Sequence, residues 1–362
     1  MLAGKPGNGG NAWARLSVVV GLRRLGLDVF FVEQIRNIDT DRLGYFEEVM
    51  RQFGLTANAT LVAGGEYFGI ARHELEAIAA DATLLVNFGG HLTIPALMQP
   101  ARCKIFLDDD PGFTQLWERL ATGTGRLTGH DFYVTFGENI GRPGCPIPTG
   151  DIDWHATRPA VVLDDWPVVE GLGRGVFTTV ATWRGPYGPV SWNGRTFGLK
   201  VHEFRRFLEL PARTGQSFEL ALDIHRDEER DLALLHAHGW LLADPHSVAG
   251  NPLTFRGYVQ NSSAEYSAAQ GIYVETESGW FSDRTVRYLA SGKPALVQDT
   301  GFSRNLPTGE GLIAFRTLDE AVAGVQSIVS DYERHSRVAR SLAEEYFDSD
   351  KVLGRLLELV GL

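Results

Sequence analysis

Apolar and polar positions come in blocks along this chain, and the blocks read as loop, helix and strand in repeating order. Trp13, Leu16, Val20 and Leu25 fall near one helical face, with Gly7-Asn8-Gly9-Gly10-Asn11 before them and Gly26 after. A glycine loop therefore leads into a helix that a glycine ends. Leu27–Glu33 predicts the next strand, and short apolar runs at 59–62, 82–88, 104–107 and 132–136 predict four more. The last three release polar residues at their carboxyl ends: Gly89-Gly90-His91, Asp108-Asp109-Asp110 and Gly137-Glu138-Asn139. Open α/β sheets bind ligands at such ends. The strand expected before Gly7 is reduced to Met1-Leu2-Ala3.

Glycine and proline interrupt the periodicity over 143–172, which reads as a linker. A second α/β series follows. Strands are predicted at 175–180, 218–222, 240–242 and 272–274, with helices near 201–210, 227–238 and 253–257 and a loop at 245–250. The stretch from Gly279 to Val297 is the most regular. Ser282 is placed to cap a helix, Asp283 lies in its first turn, and Phe281, Thr285, Tyr288 and Leu289 fall near one face. Gly292-Lys293-Pro294 stops that helix, and Ala295-Leu296-Val297 is a buried strand followed by Asp299-Thr300-Gly301. A turn and strand follow at 309–315, and Thr317 is a helix cap. The tail from Asp331 is helical, with a break near Phe347-Asp348-Ser349. The expected units are 1–160, 161–335 and a tail, 336–362, that packs back towards the first unit.

Composition narrows the function classes. The chain has 362 residues, 44% hydrophobic and 22% charged, enough for two ordinary cores. Its formal charge of -11 argues against a broad nucleic-acid surface. Cys103 and Cys145 suffice neither for a disulfide framework nor for a four-cysteine zinc site. With no basic-then-apolar leader and no run of apolar residues long enough to span a bilayer, a cytoplasmic protein is expected.

Candidate chemistry sits at the strand ends. His91, on a glycine-rich loop, is a candidate general base, with loop bracing as the plain alternative. Asp108, Asp109 and Asp110 form a like-charge cluster that either orients a substrate hydroxyl or is a solvated turn. Arg184 is suited to a phosphate, and Trp183 or Tyr187 to a base or sugar. Free N–H groups at the start of the Ser282–Asp283–Arg284 helix form a candidate anion site. His236 and His238 differ by two positions and cannot share a helix face. No metal site is expected.

Taken together, Gly9-Gly10 before the first helix and the Ser282–Val297 unit in the second series resemble a GT-B-type glycosyltransferase. Ala290-Ser291-Gly292-Lys293-Pro294-Ala295-Leu296-Val297 is the most specific part of the likeness. The resemblance implies two Rossmann-like α/β domains facing each other across a cleft, the first for the acceptor and the second for a nucleotide-sugar donor. It implies no tightly bound cofactor. Gly9 and Gly10 would approach the donor from the first domain. Arg184 and the helix start at Ser282, Asp283 and Arg284 would hold its diphosphate, Trp183 would pack on its base or sugar, Gln260 would lie near its base, and Asp299 and Thr300 near its sugar. His91, Asp109 or Asp110 would supply the base. Retaining members often carry two glutamates eight positions apart; here those positions hold Gly279 and Arg287. That departure points towards an inverting enzyme. The acceptor is expected to be a small molecule such as a secondary metabolite. Neither the nucleotide (UDP or TDP) nor the oligomeric state can be read from these residues. A sugar-nucleotide epimerase, an NAD-dependent enzyme and a binding-only protein of the same fold are the alternatives.

Overall fold

A computed structural model describes residues 1–120 and 125–362. The first half runs α1 (Gly9–Arg24), β1 (Phe31–Ile35), α2 (Thr40–Gln52), β2 (Ala59–Ala63), β3 (Glu66–Gly69), α3 (Arg72–Asp81), β4 (Leu84–Phe88), α4 (Pro95–Met98), β5 (Cys103–Asp108), α5 (Phe113–Arg119), β6 (Phe132–Thr135) and β7 (Trp154–Ala156). The second begins with β8 (Val176–Thr182), β9 (Val190–Trp192), β10 (Arg195–Phe197), α6 (Lys200–Arg205), α7 (Leu210–Thr214), β11 (Ser217–Asp223), α8 (Glu229–Ala237) and β12 (Trp240–Ala243). It continues through α9 (Pro245–Ala249), α10 (Pro252–Gln260), β13 (Ala264–Ser267), α11 (Gly271–Thr276), α12 (Asp283–Ala290), β14 (Ala295–Gln298) and β15 (Leu312–Phe315). Three helices close the chain: α13 (Leu318–Ser330), α14 (Tyr332–Tyr346) and α15 (Ser349–Leu359).

The second half is built on one parallel sheet, β12-β11-β8-β13-β14-β15. Its central strands β13 and β14 are buried along their whole length, as strands covered by helices on both faces must be. The first half carries two smaller sheets, β1-β2-β3 and β4-β5-β6-β7. Helix α1 serves both: Leu16 and Val19 pack with Ile35 and Leu61, while Val18 and Leu22 pack with Ile105 and Leu107.

The tail joins the halves. Helix α14 packs on α12 through Ala339, Leu342 and Ala343. The chain then turns at Phe347, where Val161 N–H donates to the Phe347 carbonyl at 2.9 Å and Ser349 N–H donates to the Val161 carbonyl at 2.9 Å. Helix α15 returns to the first half, laying Leu353, Leu356 and Leu357 against Val18 and Leu22.

Three local expectations are corrected. The strand expected over 27–33 begins only at Phe31. The apolar run Ile272-Tyr273-Val274 lies in helix α11, and the strand comes one segment earlier, at β13. A short apolar run fits a strand or a buried helix equally, and its tertiary neighbours decide. Residues 245–249 are helical, because Asp244 accepts from His246 N–H and Pro245 supplies a preset first turn.

Candidate active site between the two halves

The carboxyl ends of the β5, β8, β13 and β14 strands meet where the halves face each other. A seam beside them sets their spacing. Asn139, after β6, donates through Nδ2 to the carbonyls of Glu277 (2.8 Å) and Gly301 (3.1 Å), and Asn305 Nδ2 donates to Asn139 Oδ1 at 2.9 Å. Gly279 and Gly301 adopt φ of 78° and 87°. A Cβ at Gly279 would stand 2.9 Å from Asn139 N, and one at Gly301 would stand 2.7 Å from the Glu277 carbonyl oxygen. Only glycine allows this approach and this backbone conformation.

On the second-half side, Arg284 stands in the first turn of α12 with its side chain 13% exposed. Its guanidinium donates to Glu265 Oε1 (2.6 Å), the Val180 carbonyl (2.8 Å) and Ser267 Oγ (2.7 Å). It therefore ties α12 to β13 and β8. Glu265 is fully buried, and its second carboxylate oxygen has no hydrogen-bond partner. Lys200, at the first position of α6, lies within Coulombic reach of both. Burial and the adjacent Arg284 charge push its amine from 10.5 down to about 7. Its amine also lies over the Phe204 ring, 5.9 Å from the centroid. The Lys200 ammonium makes no ion pair among the described residues. Gln270, after β13, is 5% exposed with its amide nitrogen unpartnered beside Gly185. Unpaired buried polar groups of this kind are costly unless a ligand meets them.

On the first-half side, the three aspartates differ sharply. Asp108 is fully buried and accepts from Thr114 Oγ1 (2.6 Å), Gln115 Nε2 (2.8 Å) and Thr135 Oγ1 (2.8 Å). Burial outweighs those bonds and pushes its carboxyl up to about 6. Asp110 accepts from two phenols of the second half, Tyr187 at 2.7 Å and Tyr273 at 3.1 Å. Burial and the neighbouring Asp109 charge push it up to about 7. Asp109 is held by one bond, from Arg15 Nη2 of α1 at 3.2 Å, and its carboxylate is 22% exposed. His91 stands beside Gly89, whose added Cβ would also meet Asp109. Burial, helped by the N-terminus, Arg126, Arg15 and Lys5, pushes its imidazole from 6.5 down to about 3. His91 is thus neutral at neutral pH. An aromatic wall closes this side: Phe113 and Trp117 meet Tyr187 at ring distances of 4.9 and 4.7 Å, and Tyr273 stacks on Trp280 at 4.3 Å.

The remaining expected site residues have other partners. Trp183 is 2% exposed, and its indole N–H donates to Asp231 at 2.8 Å, so its ring faces the core. Arg184 is exposed and ion-paired with Glu228. Gln260 donates to the Pro167 carbonyl at 3.1 Å, on the connector between the halves. Gly9 and Gly10 are packing glycines: Cβ atoms there would lie 2.1 Å from the Asn251 carbonyl oxygen and 3.1 Å from Phe255 of α10. Ser282 caps α12 by position, without a side-chain bond. Asp283 pairs with Arg287 at 2.8 Å, and the fully buried Arg287 reaches Ser17 of α1 at 3.3 Å. Asp299 accepts from Ser303 (2.7 Å) and Arg316 (2.8 Å), and Thr300 donates to the Trp280 carbonyl. Lys200 and Gln270 escaped the sequence reading, although each follows a strand end directly or opens the helix after it.

No protein-family model matches the chain, and no curated protein is similar to it in sequence. Solved structures match its fold. An alpha-glucosyltransferase (AGT) in complex with UDP aligns over 99% of this chain and 97% of its own, at 10% identity and a TM-score of 0.61. AviGT4, a glycosyltransferase involved in avilamycin A biosynthesis, aligns over 100% and 93%, at 14% identity and a TM-score of 0.56. Anabaena Alr3699/HepE in complex with UDP-glucose aligns over 98% and 97%, at 10% identity and a TM-score of 0.60. The chain has the GT-B fold, two Rossmann-like α/β halves with the candidate site between them. No helix among the described residues is long and apolar enough to cross a membrane.

Proposed function

We propose that this GT-B chain is a glycosyltransferase that moves a sugar from a nucleoside-diphosphate sugar to a hydroxyl of a small-molecule acceptor, with inversion and with protein cations at the diphosphate. The observation that carries this reading is the Lys200–Arg284 pair at the strand ends of the second half. Arg284 is fixed by Glu265, and the Lys200 amine is left without a carboxylate of its own. A diphosphate supplies the missing negative charge, and the free N–H groups at the start of α12 add to it. UDP and UDP-glucose occupy two of the similar solved structures, which supports a nucleotide donor here.

Asp109 serves as the base. Its carboxylate takes the proton of the acceptor hydroxyl, and the freed oxygen bonds to the anomeric carbon. The bond from that carbon to the diphosphate oxygen breaks, and its electron pair leaves with the nucleoside diphosphate towards Lys200 and Arg284. His91, which burial keeps neutral, stands beside Asp109 and serves as a hydrogen-bonding partner for the acceptor. Trp117, Tyr187 and Trp280, packed on the buried Phe113, offer flat apolar faces for an acceptor body. Inversion is favoured by the two positions where retaining relatives carry glutamate. At Gly279 any side chain would run into Asn139, and Arg287 is buried on Asp283.

The test is a thermal-shift panel of UDP-, TDP- and GDP-sugars and NAD, followed by release of nucleoside diphosphate from whichever sugar binds. Stabilisation by one or more nucleotide sugars, with slow diphosphate release, is expected. Stabilisation by NAD alone would replace this reading with a dehydrogenase or epimerase.

A further inference from the structure

A charged cavity lies beside the seam between the halves. It has a volume of about 210 Å³ and sits between the β6–β7 edge of the first half and the tail helix α15. Arg142, Arg158 and Arg355 line it, with Glu138 as its only acidic side chain. Its floor is apolar, formed by Val134, Val352, Leu356 and Leu359.

The charges do not balance. Arg158 is 16% exposed and forms a two-point pair with Glu138, at 2.8 and 2.9 Å. That pair uses the one carboxylate. Arg142 donates to the Asn305 side chain at 2.8 Å, a neutral partner. Arg355 projects from an exposed turn of α15 and has no ion pair among the described residues. Its charge is felt by Glu345, but that carboxylate is already bonded to Lys351 at 2.9 Å. Two guanidinium groups therefore face one small cavity without a counter-charge, in a chain whose formal charge is -11. Guanidinium forks favour planar or tetrahedral oxyanions, and the leucine floor favours an apolar body behind the anion.

We infer that this cavity binds a small amphipathic anion, a phosphate or carboxylate group carried on a short apolar body. Arg142 and Arg355 grip the oxyanion, and Leu356 and Leu359 receive the apolar part. The site is independent of the donor site and of the glycosyltransferase reading. It also reaches the seam between the halves. Arg142 and Arg158 both donate to Asn305, and Asn305 in turn bonds Asn139. An anion here draws on the guanidinium groups that hold the two halves together.

Phenyl phosphate is the probe, titrated calorimetrically into the full chain and into Arg355→Glu, Arg142→Gln and Lys200→Ala. Arg355 is on the surface, so its replacement is expected to leave the unfolding midpoint unchanged. Binding at least tenfold weaker in Arg355→Glu and in Arg142→Gln, with affinity kept in Lys200→Ala, is the expected result. An absence of binding to the unsubstituted chain at millimolar probe overturns the inference. So does equal affinity in Arg355→Glu, or loss of binding in Lys200→Ala, which would move the probe to the donor site.

Discussion

The two halves treat their charged groups in parallel ways with opposite signs. In the second half Arg284 is saturated by Glu265, Ser267 and the Val180 carbonyl, and Lys200 beside it is not paired. In the first half Asp108 is saturated by Thr114, Gln115 and Thr135, Asp110 is held by two phenols, and Asp109 keeps a partly exposed carboxylate on one arginine. Among these cleft residues, each half fixes its other charges in the framework and leaves one with capacity to spare. The spare cation stands on one side of the cleft and the spare carboxylate on the other. A reaction that expels an anion and removes a proton needs that division.

Removing a framework charge is expected to have the largest effect. Arg284→Ala strips the partner from Glu265, which is fully buried. A loss of about 3–5 kcal/mol in unfolding free energy is expected, the scale of breaking a buried pair by one member. Urea denaturation measures it, and a loss below about 1 kcal/mol would show that Glu265 finds other support. Removing a spare charge should instead spare the fold. Asp109→Asn keeps the size of the side chain and is expected to lower kcat by about 10²-fold or more, with donor affinity unchanged. Near-normal turnover would take the base role away from Asp109.

Much of this arrangement was legible in the sequence, and the failures share a cause. The α12–β14 unit carried its own stop signals and apolar face, and it stands where the pattern placed it. The helical tail broke at Phe347, as its composition implied. The strand at 272–274 did not form, because an apolar run of three residues is silent about helix or strand. Moving the strand back to 264–267 changes which glutamine follows its end, from no assigned role to Gln270 beside Gly185. Gln260, expected near the donor base, ends α10 and is used on the connector, where it donates to the Pro167 carbonyl. Trp183, expected against a base or sugar, is instead claimed by Asp231, 48 positions later, which gives its buried indole a partner. Lys200 carried no motif. Its role depends on Arg284 and Glu265, which only the fold brings near it. Local signals placed elements; partners distant in sequence decided which charges were used up.

We propose Lys200 as the spare cation that meets a donor diphosphate. Its amine, near 7 in the free protein, is mostly neutral at pH 8 and mostly charged at pH 6. A bound diphosphate favours the charged form and raises that value. Binding should therefore take up a fraction of a proton at pH 8 and little at pH 6, and affinity should fall as pH rises above 7. Calorimetric titration of UDP at both pH values, in two buffers of different ionisation enthalpy, reads affinity and proton uptake together. Proton uptake at pH 8 is expected in the unsubstituted chain, and in Lys200→Ala no uptake and binding weaker by about tenfold or more. Equal UDP affinity in the two proteins, with the same proton uptake, would contradict it.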